Sequence, residues 1–212
     1  MASEPGGPYR GLLVDYGGVL TTNLFDSFEA FCRSEGLEPN VIVRQFAGNP
    51  TARELLVELE CGRLAAEEFE ARLAALLEVE PAGLIDRMFA GSGPDRAMRE
   101  AVAAARRSGV RTGLISNSWV ERHYDAEMLA ELFDGVVISS REGIRKPAAR
   151  MYELGSERIG VAPDHCVYVD DLPFNLEPAA ELGMATVHHM DPERTIPELE
   201  RLLGVALAPD PA

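Results

Sequence analysis

Residues 12–20 read LLVDYGGVL, an apolar run that passes through a single carboxylate, Asp15, into a glycine turn. Continuous apolar runs of this kind are typical of strands that are buried on both faces of a parallel sheet. A carboxylate at the end of such a strand is costly unless it is paired, hydrogen-bonded or bound to a metal. We therefore predict that Asp15 belongs to a functional site.

A second apolar run ends in the same way, because Cys166–Val169 leads directly into Asp170 and Asp171. A single acid after a strand is explained without a site, as a turn or helix N-cap residue. Three carboxylates at one edge of a sheet, however, would repel each other strongly without a cation. We therefore predict a metal site formed by Asp15, Asp170 and Asp171.

The order of the predicted elements indicates an α/β fold with an inserted helical segment. After the first strand, residues 22–90 carry only helical patterns, and strands then alternate with helices to the end of the chain. This alternation predicts a parallel sheet with helices on both faces. A capping box at Thr195–Glu198 predicts the start of the last helix. We expect the later strands at Thr112–Ser116, Gly135–Ser139, Cys166–Asp170 and Ala185–His189.

The same pattern predicts the domain boundaries. We expect an α/β core formed by residues 10–20 and 92–204, and an inserted helical domain formed by residues 21–91. The remaining residues, 1–9 and 205–212, are rich in proline and small residues, and we expect them to be flexible ends.

Further polar residues follow the other predicted strands, and parallel strands bring their carboxyl ends to one edge of the sheet. Ser116 and Asn117 follow the second strand, and Lys146 lies in the loop after the third. With Asp15 as a nucleophile, this set suits phosphoryl transfer, since Ser116, Asn117 and Lys146 can hold and neutralise a phosphate. Mg²⁺ needs few protein oxygens, so Asp15, a backbone carbonyl in the turn and Asp171 would suffice.

Composition limits the partners. The formal net charge of −15 argues against binding to nucleic acid or to an anionic membrane. Three cysteines without metal-ligand spacing fit a reducing compartment. The first ten residues lack the apolar centre of a signal peptide. We therefore predict a cytoplasmic protein, monomeric or homodimeric, that acts on a small molecule.

Four segments resemble the motifs of the haloacid dehalogenase (HAD)-like hydrolase superfamily, in the same order and with matching spacing. The closest resemblance is to the subgroup that contains the phosphatase domain of soluble epoxide hydrolase and the HAD-like domain fused to some acyl-CoA dehydrogenases. The segments are Val14–Leu20, Leu114–Asn117, Glu142–Pro147 and Val169–Leu172 together with Asn175.

The resemblance implies that residues 10–20 and 92–204 form a Rossmann-like catalytic core and that residues 21–91 form a helical cap. It implies a Mg²⁺ cofactor and a covalent aspartyl-phosphate on Asp15. It also implies that the backbone of Gly17 and the carboxylate of Asp171 bind the metal, and that Asp170 binds the metal or its water. Lys146 would bridge Asp15 and the phosphate.

Gly17 departs from the family pattern, because most phosphatases of this superfamily have a second Asp there that protonates the leaving group and activates water. General acid–base assistance is typically worth about 10²–10⁴-fold in rate. We therefore predict a slow Mg²⁺-dependent phosphatase that acts on a small phosphorylated metabolite. Two alternatives stay open: a catalytically weak or inactive module that binds a phosphorylated ligand, and a 2-haloacid dehalogenase, against which the acid pair Asp170 and Asp171 argues.

Three further expectations concern the cap and its neighbours. Phe25, Phe28 and Phe31 recur at helical spacing, and we expect them to fill the cap core rather than to line a pocket. We expect the glutamates of the cap to form a solvated helix face. Arg145 is expected to face solvent beside Lys146.

Overall fold

A parallel sheet of five strands lies at the centre of the structure, a computed structural model in which residues 7–207 are described. The spatial order of the strands is β3-β2-β1-β4-β5, and every neighbouring pair is parallel. The predicted α/β class is therefore confirmed. In chain order the strands are β1 (Gly11–Val14), β2 (Arg111–Ser116), β3 (Gly135–Ile138), β4 (Cys166–Asp170) and β5 (Ala185–His188).

Strand β1 is central, and its unbroken apolar sequence reflects packing on both faces. Leu12 and Val14 pack into the apolar cluster on one face of the sheet, and Leu13 packs into the cluster on the other. The strand order reverses between β1 and β4, and ligands bind at such switch points in open α/β sheets, beyond the carboxyl ends of the strands. Asp15 and Asp170 lie at this point.

The first five of the six helices between β1 and β2 form a separate layer, called the cap below. Their apolar side chains, among them Phe31, Phe69 and Leu73, pack into a third cluster that is distinct from those on the sheet. The loop after β2 contributes Trp119 and Val120 to this cluster, so the layer is anchored to the sheet domain. These helices are α1 (Leu24–Ser34), α2 (Val41–Gly48), α3 (Pro50–Glu60), α4 (Ala66–Leu77) and α5 (Leu84–Phe89).

The remaining helices cover the sheet, with α6, α7 and α11 contributing to one apolar cluster and α9 and α10 to the other. None of the helices within residues 7–207 is long and apolar enough to cross a membrane. The core helices are α6 (Arg96–Arg107), α7 (Ala126–Leu132), α8 (Ser139–Glu142), α9 (Ala149–Ile159), α10 (Pro173–Glu181) and α11 (Pro192–Leu203).

The predicted start of the last helix was wrong. Helix α11 begins at Pro192, and the side chain of Asp191 accepts a hydrogen bond of 2.8 Å from the Arg194 backbone N–H as its N-cap. An Asp followed by Pro at the first helical position is a stronger start signal than the capping box at Thr195. The Thr195 hydroxyl is instead buried and lies 2.8 Å from His189 Nδ1.

The predicted flexible ends need one correction. Leu207 is only 1% exposed, and its backbone N–H donates a 2.8 Å hydrogen bond to Glu200 Oε1. The packed core therefore extends past residue 204, because the apolar side chain of Leu207 finds room against the sheet cluster. Of the predicted ends, residues 1–6 and 208–212 lie outside the described part of the chain.

Candidate active site

Asp15 lies at the first position after β1 and is almost fully buried. Its backbone N–H donates to the Val169 carbonyl at 2.9 Å, which continues the β1–β4 ladder by one residue. Its Oδ1 accepts a 2.6 Å hydrogen bond from the Tyr16 N–H and lies 2.8 Å from Lys146 Nζ. Burial raises the pKa of Asp15 to about 8, although the ammonium of Lys146 acts in the opposite direction.

Lys146 is a buried cation held between two carboxylates. Its Nζ lies 2.8 Å from Asp15 Oδ1 and 2.8 Å from Asp170 Oδ2, and it donates a 3.1 Å hydrogen bond to the Tyr168 hydroxyl. Burial alone would lower the pKa of Lys146, but the two carboxylates raise it above its ordinary value. The structure thus brings together residues that are more than 130 positions apart in the sequence.

The side chain of Asn117 is used to hold the loop that carries Lys146. Its Oδ1 accepts a 2.8 Å hydrogen bond from the Lys146 N–H, and its Nδ2 donates to the Lys146 carbonyl at 3.2 Å. A phosphate contact from Asn117 would therefore come from its backbone N–H. The hydroxyl of Ser116 lies 2.8 Å from that of Tyr124, and both residues line the same cavity as Asp15.

Asp170 is fully buried, and both of its oxygens accept hydrogen bonds from the protein. Oδ1 accepts from the Leu172 N–H at 2.9 Å and from Asn175 Nδ2 at 3.0 Å. Oδ2 accepts from Tyr168, which lies two positions earlier and so on the same face of β4. Burial would raise the pKa of Asp170, but Lys146 and these hydrogen bonds lower it. This arrangement suits a carboxylate that stays ionised and positions Lys146.

Asp171 approaches the β1 turn closely at Gly18. The backbone of Gly18 has a φ of 75°, and a Cβ at this position would overlap the carboxylate of Asp171. Only glycine meets both demands, since a side chain is strained at positive φ. Burial and the neighbouring Asp170 raise the pKa of Asp171 to about 7.

The three acids fit a divalent cation. Carboxylate oxygens of Asp15, Asp170 and Asp171 all lie within 4.8 Å of one another. With all three ionised, the single ammonium of Lys146 leaves two negative charges without a counter-charge, and the raised pKa values of Asp15 and Asp171 are consistent with this deficit. Hard oxygen ligands suit Mg²⁺. Because Asp170 already accepts hydrogen bonds at both oxygens, Asp15 and Asp171 are the better candidates for direct ligands.

Replacing Asp171 by Asn tests this site without an activity assay. The pKa of Asp171 is raised, so the folded chain holds this proton more tightly than the unfolded chain, and metal-free protein loses stability as the pH rises from about 4 to about 7. With a chelator, we expect the melting temperature of Asp171→Asn to fall less than that of the wild type between about pH 5 and about pH 8. At the higher pH, Mg²⁺ should stabilise only the wild type.

Differential scanning calorimetry measures both effects. Asp164→Asn is the matched control, because the side chain of Asp164 is 70% exposed and lies outside the cavity. Equal stabilisation of the wild type and Asp171→Asn by Mg²⁺ would contradict the site.

A side chain of the cap packs against the place of a second acid in the β1 turn. A Cβ on Gly17 would lie 2.7 Å from Cδ1 of Leu24, the first residue of α1. An apolar cap side chain therefore packs where the second Asp of related phosphatases would begin.

A cavity of about 940 Å³ lies between the sheet edge and the cap. Its floor is polar and includes Asp15, Ser116 and Lys146. Its walls are mainly apolar and aromatic, and the ring of Trp119 packs against four phenylalanine rings at centroid distances of 5.1–5.8 Å. The apolar wall residues include Leu24, Phe25, Phe28, Val43, Phe46, Leu56, Phe89, Trp119, Val120 and Phe174.

The prediction that Phe25, Phe28 and Phe31 fill the cap core is confirmed only in part. Phe31 is buried in the cap core, as expected. Phe28 belongs to the cap core and also lines the cavity, and Phe25 is 43% exposed and lines it as well. Helical spacing places the three residues on one face of α1, but only the docking of the cap decides which part of that face meets the core.

The expected environments of Arg145 and of two cap glutamates, Glu60 and Glu70, were wrong, because Glu70 is buried as well. Arg145 Nε lies 2.7 Å from Oε2 of Glu60, the last residue of α3, and the two side chains are 22% and 6% exposed. Glu60 is buried because the end of α3 docks onto the core, where the Ser139 hydroxyl donates to the Glu60 carbonyl. Nothing in the local sequence distinguishes Glu60 from the solvated glutamates around it, so sequence reasoning missed it.

Comparison with known proteins agrees with this fold. A family model described as haloacid dehalogenase-like hydrolase matches residues 9–183. Bifunctional epoxide hydrolase 2 from Sus scrofa is 28% identical over 193 residues, which cover 87% of this chain and 34% of that protein. Acyl-CoA dehydrogenase family member 10 from Mus musculus is 28% identical over 221 residues, which cover 95% of this chain and 20% of that protein. The chain thus spans about a third of the first relative and a fifth of the second.

Two further relatives are of similar length to the chain. Fructose-1-phosphate phosphatase YqaB from Escherichia coli is 32% identical over 157 residues, which cover 66% of this chain and 72% of that protein. The crystal structure of a HAD family enzyme from Bacteroides thetaiotaomicron, in complex with magnesium and inorganic phosphate, superimposes with a TM-score of 0.62. It is 18% identical, and the superposition covers 86% of this chain and 94% of that chain.

The relatives include both proteins of the subgroup that the sequence motifs predicted, and the family model covers the first strand, the cap and most of the core. The chain therefore belongs to the haloacid dehalogenase-like hydrolase family.

Proposed function

We propose that the protein is a Mg²⁺-dependent phosphatase that acts on a small phosphorylated substrate through an aspartyl-phosphate on Asp15. The observation that carries this proposal is the buried Lys146 ammonium, which lies 2.8 Å from both Asp15 and Asp170 at the carboxyl ends of β1 and β4. Phosphatases among the relatives support the same chemistry.

Each residue of the site has a role in this reaction. A carboxylate oxygen of Asp15 attacks the phosphorus, and the ester oxygen leaves. The ammonium of Lys146, the hydroxyl of Ser116 and the backbone N–H of Asn117 stabilise the phosphoryl oxygens. Water then attacks the phosphorus of the aspartyl-phosphate, which releases phosphate and restores Asp15. Asp170 keeps Lys146 in place throughout.

The metal would be held by Asp15, the backbone carbonyl of Gly17 and Asp171. Asp170 would lie behind these ligands or contact the metal through a water molecule. When bound, Mg²⁺ offsets the negative charges of these carboxylates and of the phosphoryl group.

The cavity favours a substrate whose organic part is apolar. Its floor offers the polar groups for a phosphate, whereas its walls are formed by Phe25, Phe28, Phe46, Trp119 and their neighbours. Burying an apolar group against these walls is favourable by about 25 cal/mol per Å² of apolar surface. A sugar would find few hydrogen-bond partners for its hydroxyls on these apolar walls, which costs binding energy. We therefore expect aryl or alkyl phosphates to be better substrates than sugar phosphates.

A panel of aryl, alkyl and sugar phosphates, assayed with Mg²⁺ or with a chelator, tests the proposal. We expect phosphate release that depends on Mg²⁺, is fastest with apolar esters and exceeds that of Asp15→Asn. Ligand binding without release would support a phosphate-binding module instead. Chloride release from 2-chloropropionate without Mg²⁺ would support a dehalogenase.

A cytoplasmic location and a monomeric or homodimeric state complete the proposal. The proposed location is supported by Cys32, Cys61 and Cys166, which are all free and buried, as is usual in a reducing compartment.

A further inference from the structure

The proposed function requires two proton transfers to which no residue has yet been assigned. The ester oxygen needs a proton as it leaves, and the attacking water must lose one, but the turn offers only Gly17 with Leu24 packed over it. An alkoxide is a poor leaving group, so a general acid is needed for any alkyl phosphate. The question is which other group in the cavity can serve.

Few of the described residues that line the cavity can exchange a proton near neutral pH, once the nucleophile and the candidate metal ligands are set aside. Burial raises the pKa of Tyr16 and of Tyr124 above the ordinary value of a tyrosine. A hydrogen bond from an arginine lowers the pKa of Asp86. Among the carboxyl, imidazole and phenol groups of the described cavity lining, Glu60 and His123 remain as candidates for the proton transfers.

Glu60 is the better placed of the two. His123 Nε2 lies 3.4 Å from Asp86 Oδ1, its ring packs on Phe89, and its carbonyl accepts from the hydroxyl at the far end of Tyr16. These contacts hold the His123 ring against Asp86, whose side chain is 57% exposed. The carboxyl group of Glu60 lies close enough to Lys146 and Asp15, on the cavity floor, for their charges to act on it after that of Arg145.

The carboxyl group of Glu60 is buried, and one of its oxygens lacks a hydrogen-bond donor among the described residues. Its Oε2 lies 2.7 Å from Arg145 Nε, but that N–H points to the Lys146 carbonyl, to which it donates at 3.1 Å. Oε2 therefore accepts no hydrogen bond from any described residue. A buried carboxyl oxygen in this state favours protonation. Glu60 belongs to the cap and lines the same cavity as Asp15.

We infer that Glu60 supplies, from the cap, the general acid and base that Gly17 removes from the core. As Asp15 bonds to phosphorus and the ester bond breaks, the Glu60 carboxyl gives its proton to the departing oxygen, and a neutral alcohol leaves. The Glu60 carboxylate then takes a proton from the attacking water as the bond between phosphorus and Asp15 breaks. Phosphate is released, and Glu60 is protonated again.

The electrostatic surroundings of Glu60 agree with both roles. Burial raises the pKa of Glu60 to about 7, against the opposing effect of Arg145 and Lys146, and the charge of Asp15 raises it further. The protonated and ionised forms are then both populated near neutral pH, which is the condition for a group that must act first as an acid and then as a base.

The test is the leaving-group dependence of Glu60→Gln. We expect its kcat/KM with an alkyl phosphate to fall by about 10²–10⁴-fold, while kcat/KM with 2,4-dinitrophenyl phosphate falls less than about tenfold, because dinitrophenolate leaves without a proton. Glu60→Gln should also release a burst of dinitrophenolate before slow turnover, since the water step still lacks its base. For the wild type with the alkyl ester, kcat/KM should fall as the pH rises above about 7, and Glu60→Gln should lack this fall.

Glu70→Gln is the matched control, since Glu70 is a second buried cap glutamate. Its Oε1 accepts from the Ile85 N–H at 2.9 Å, and it does not line the cavity. We expect this variant to lower the melting temperature and to treat both esters alike. Glu60→Asp, which keeps a carboxyl group, should show a smaller loss with the same leaving-group dependence, and it replaces Glu60→Gln if that variant does not fold.

Two outcomes overturn the inference in distinguishable ways. An equal loss on both esters would mean that Glu60 only anchors the cap to Arg145, while the proposed phosphatase function stands. If the wild type releases no more dinitrophenolate than Asp15→Asn does, the phosphatase function itself fails, and the role of Glu60 falls with it. A difference titration of the wild type against Glu60→Gln should show one group near pH 7, independently of turnover.

Discussion

Asp15→Asn is expected to reduce phosphate release by roughly 10⁴–10⁶-fold, the range found when a catalytic nucleophile is removed. The amide has nearly the shape of the carboxylate, so the turn, with its 2.6 Å hydrogen bond from the Tyr16 N–H, can persist. What is lost is the negative oxygen that bonds to phosphorus. Quantified phosphate release and mass spectrometry of a trapped phosphoryl-enzyme measure the two consequences.

Asp134→Asn is the control for this loss. Asp134 is another well-buried acid, but it lies at the opposite edge of the sheet, where it accepts from the Thr112 N–H at 2.9 Å and pairs with Arg106 and Arg111. We expect Asp134→Asn to lower stability and to leave turnover per folded molecule near that of the wild type. Turnover by Asp15→Asn within tenfold of the wild type would place the nucleophile elsewhere.

Lys146→Met is expected to damage both folding and activity. Methionine keeps the apolar stem, but the carboxylate of Asp170, whose pKa is lowered by Lys146, loses the ammonium that lies 2.8 Å away. Removing one partner of a buried ion pair typically costs about 3–5 kcal/mol, because the remaining charge stays buried without compensation. Activity should fall as well, because the phosphoryl oxygens lose the same cation.

Urea unfolding and phosphate release measure these two losses. Arg141→Met is the control, since Arg141 is an exposed cation in α8 whose ion pair with Glu121 lies at the surface. Such surface pairs contribute about 0.2–1 kcal/mol. If Lys146→Met were as stable as Arg141→Met, the buried Asp170 would have to be neutral in the folded protein, and the proposed charge arrangement would be wrong.

Much of the core could be predicted because its signals are local. The strand that ends at Asp15 and the strand that ends at Asp170 are continuous apolar runs, and parallel strands necessarily bring such ends to one edge. Errors occurred where two local signals competed, as at Asp191 and Thr195, which both offered a start for α11. There the Asp followed by proline was the stronger signal.

The site could be predicted as a set of residues but not as a set of contacts. The motif order brings Lys146 near Asp15, yet nothing in the sequence indicates that the Asn117 side chain would hold the Lys146 backbone. Tyr168 is likewise a partner of Asp170 that only the burial of both residues on one face of β4 identifies.

The sequence by itself determined the fold class, the strand-end acids and the absence of a second acid at position 17. Only the tertiary structure decided what takes that place, because Leu24 and Glu60 reach the site from cap helices rather than from the strand ends. The physical reason is the distance along the chain over which each kind of signal acts. Apolar periodicity and turn residues act over a few positions, whereas the docking of the cap depends on the packing of many side chains from distant parts of the chain.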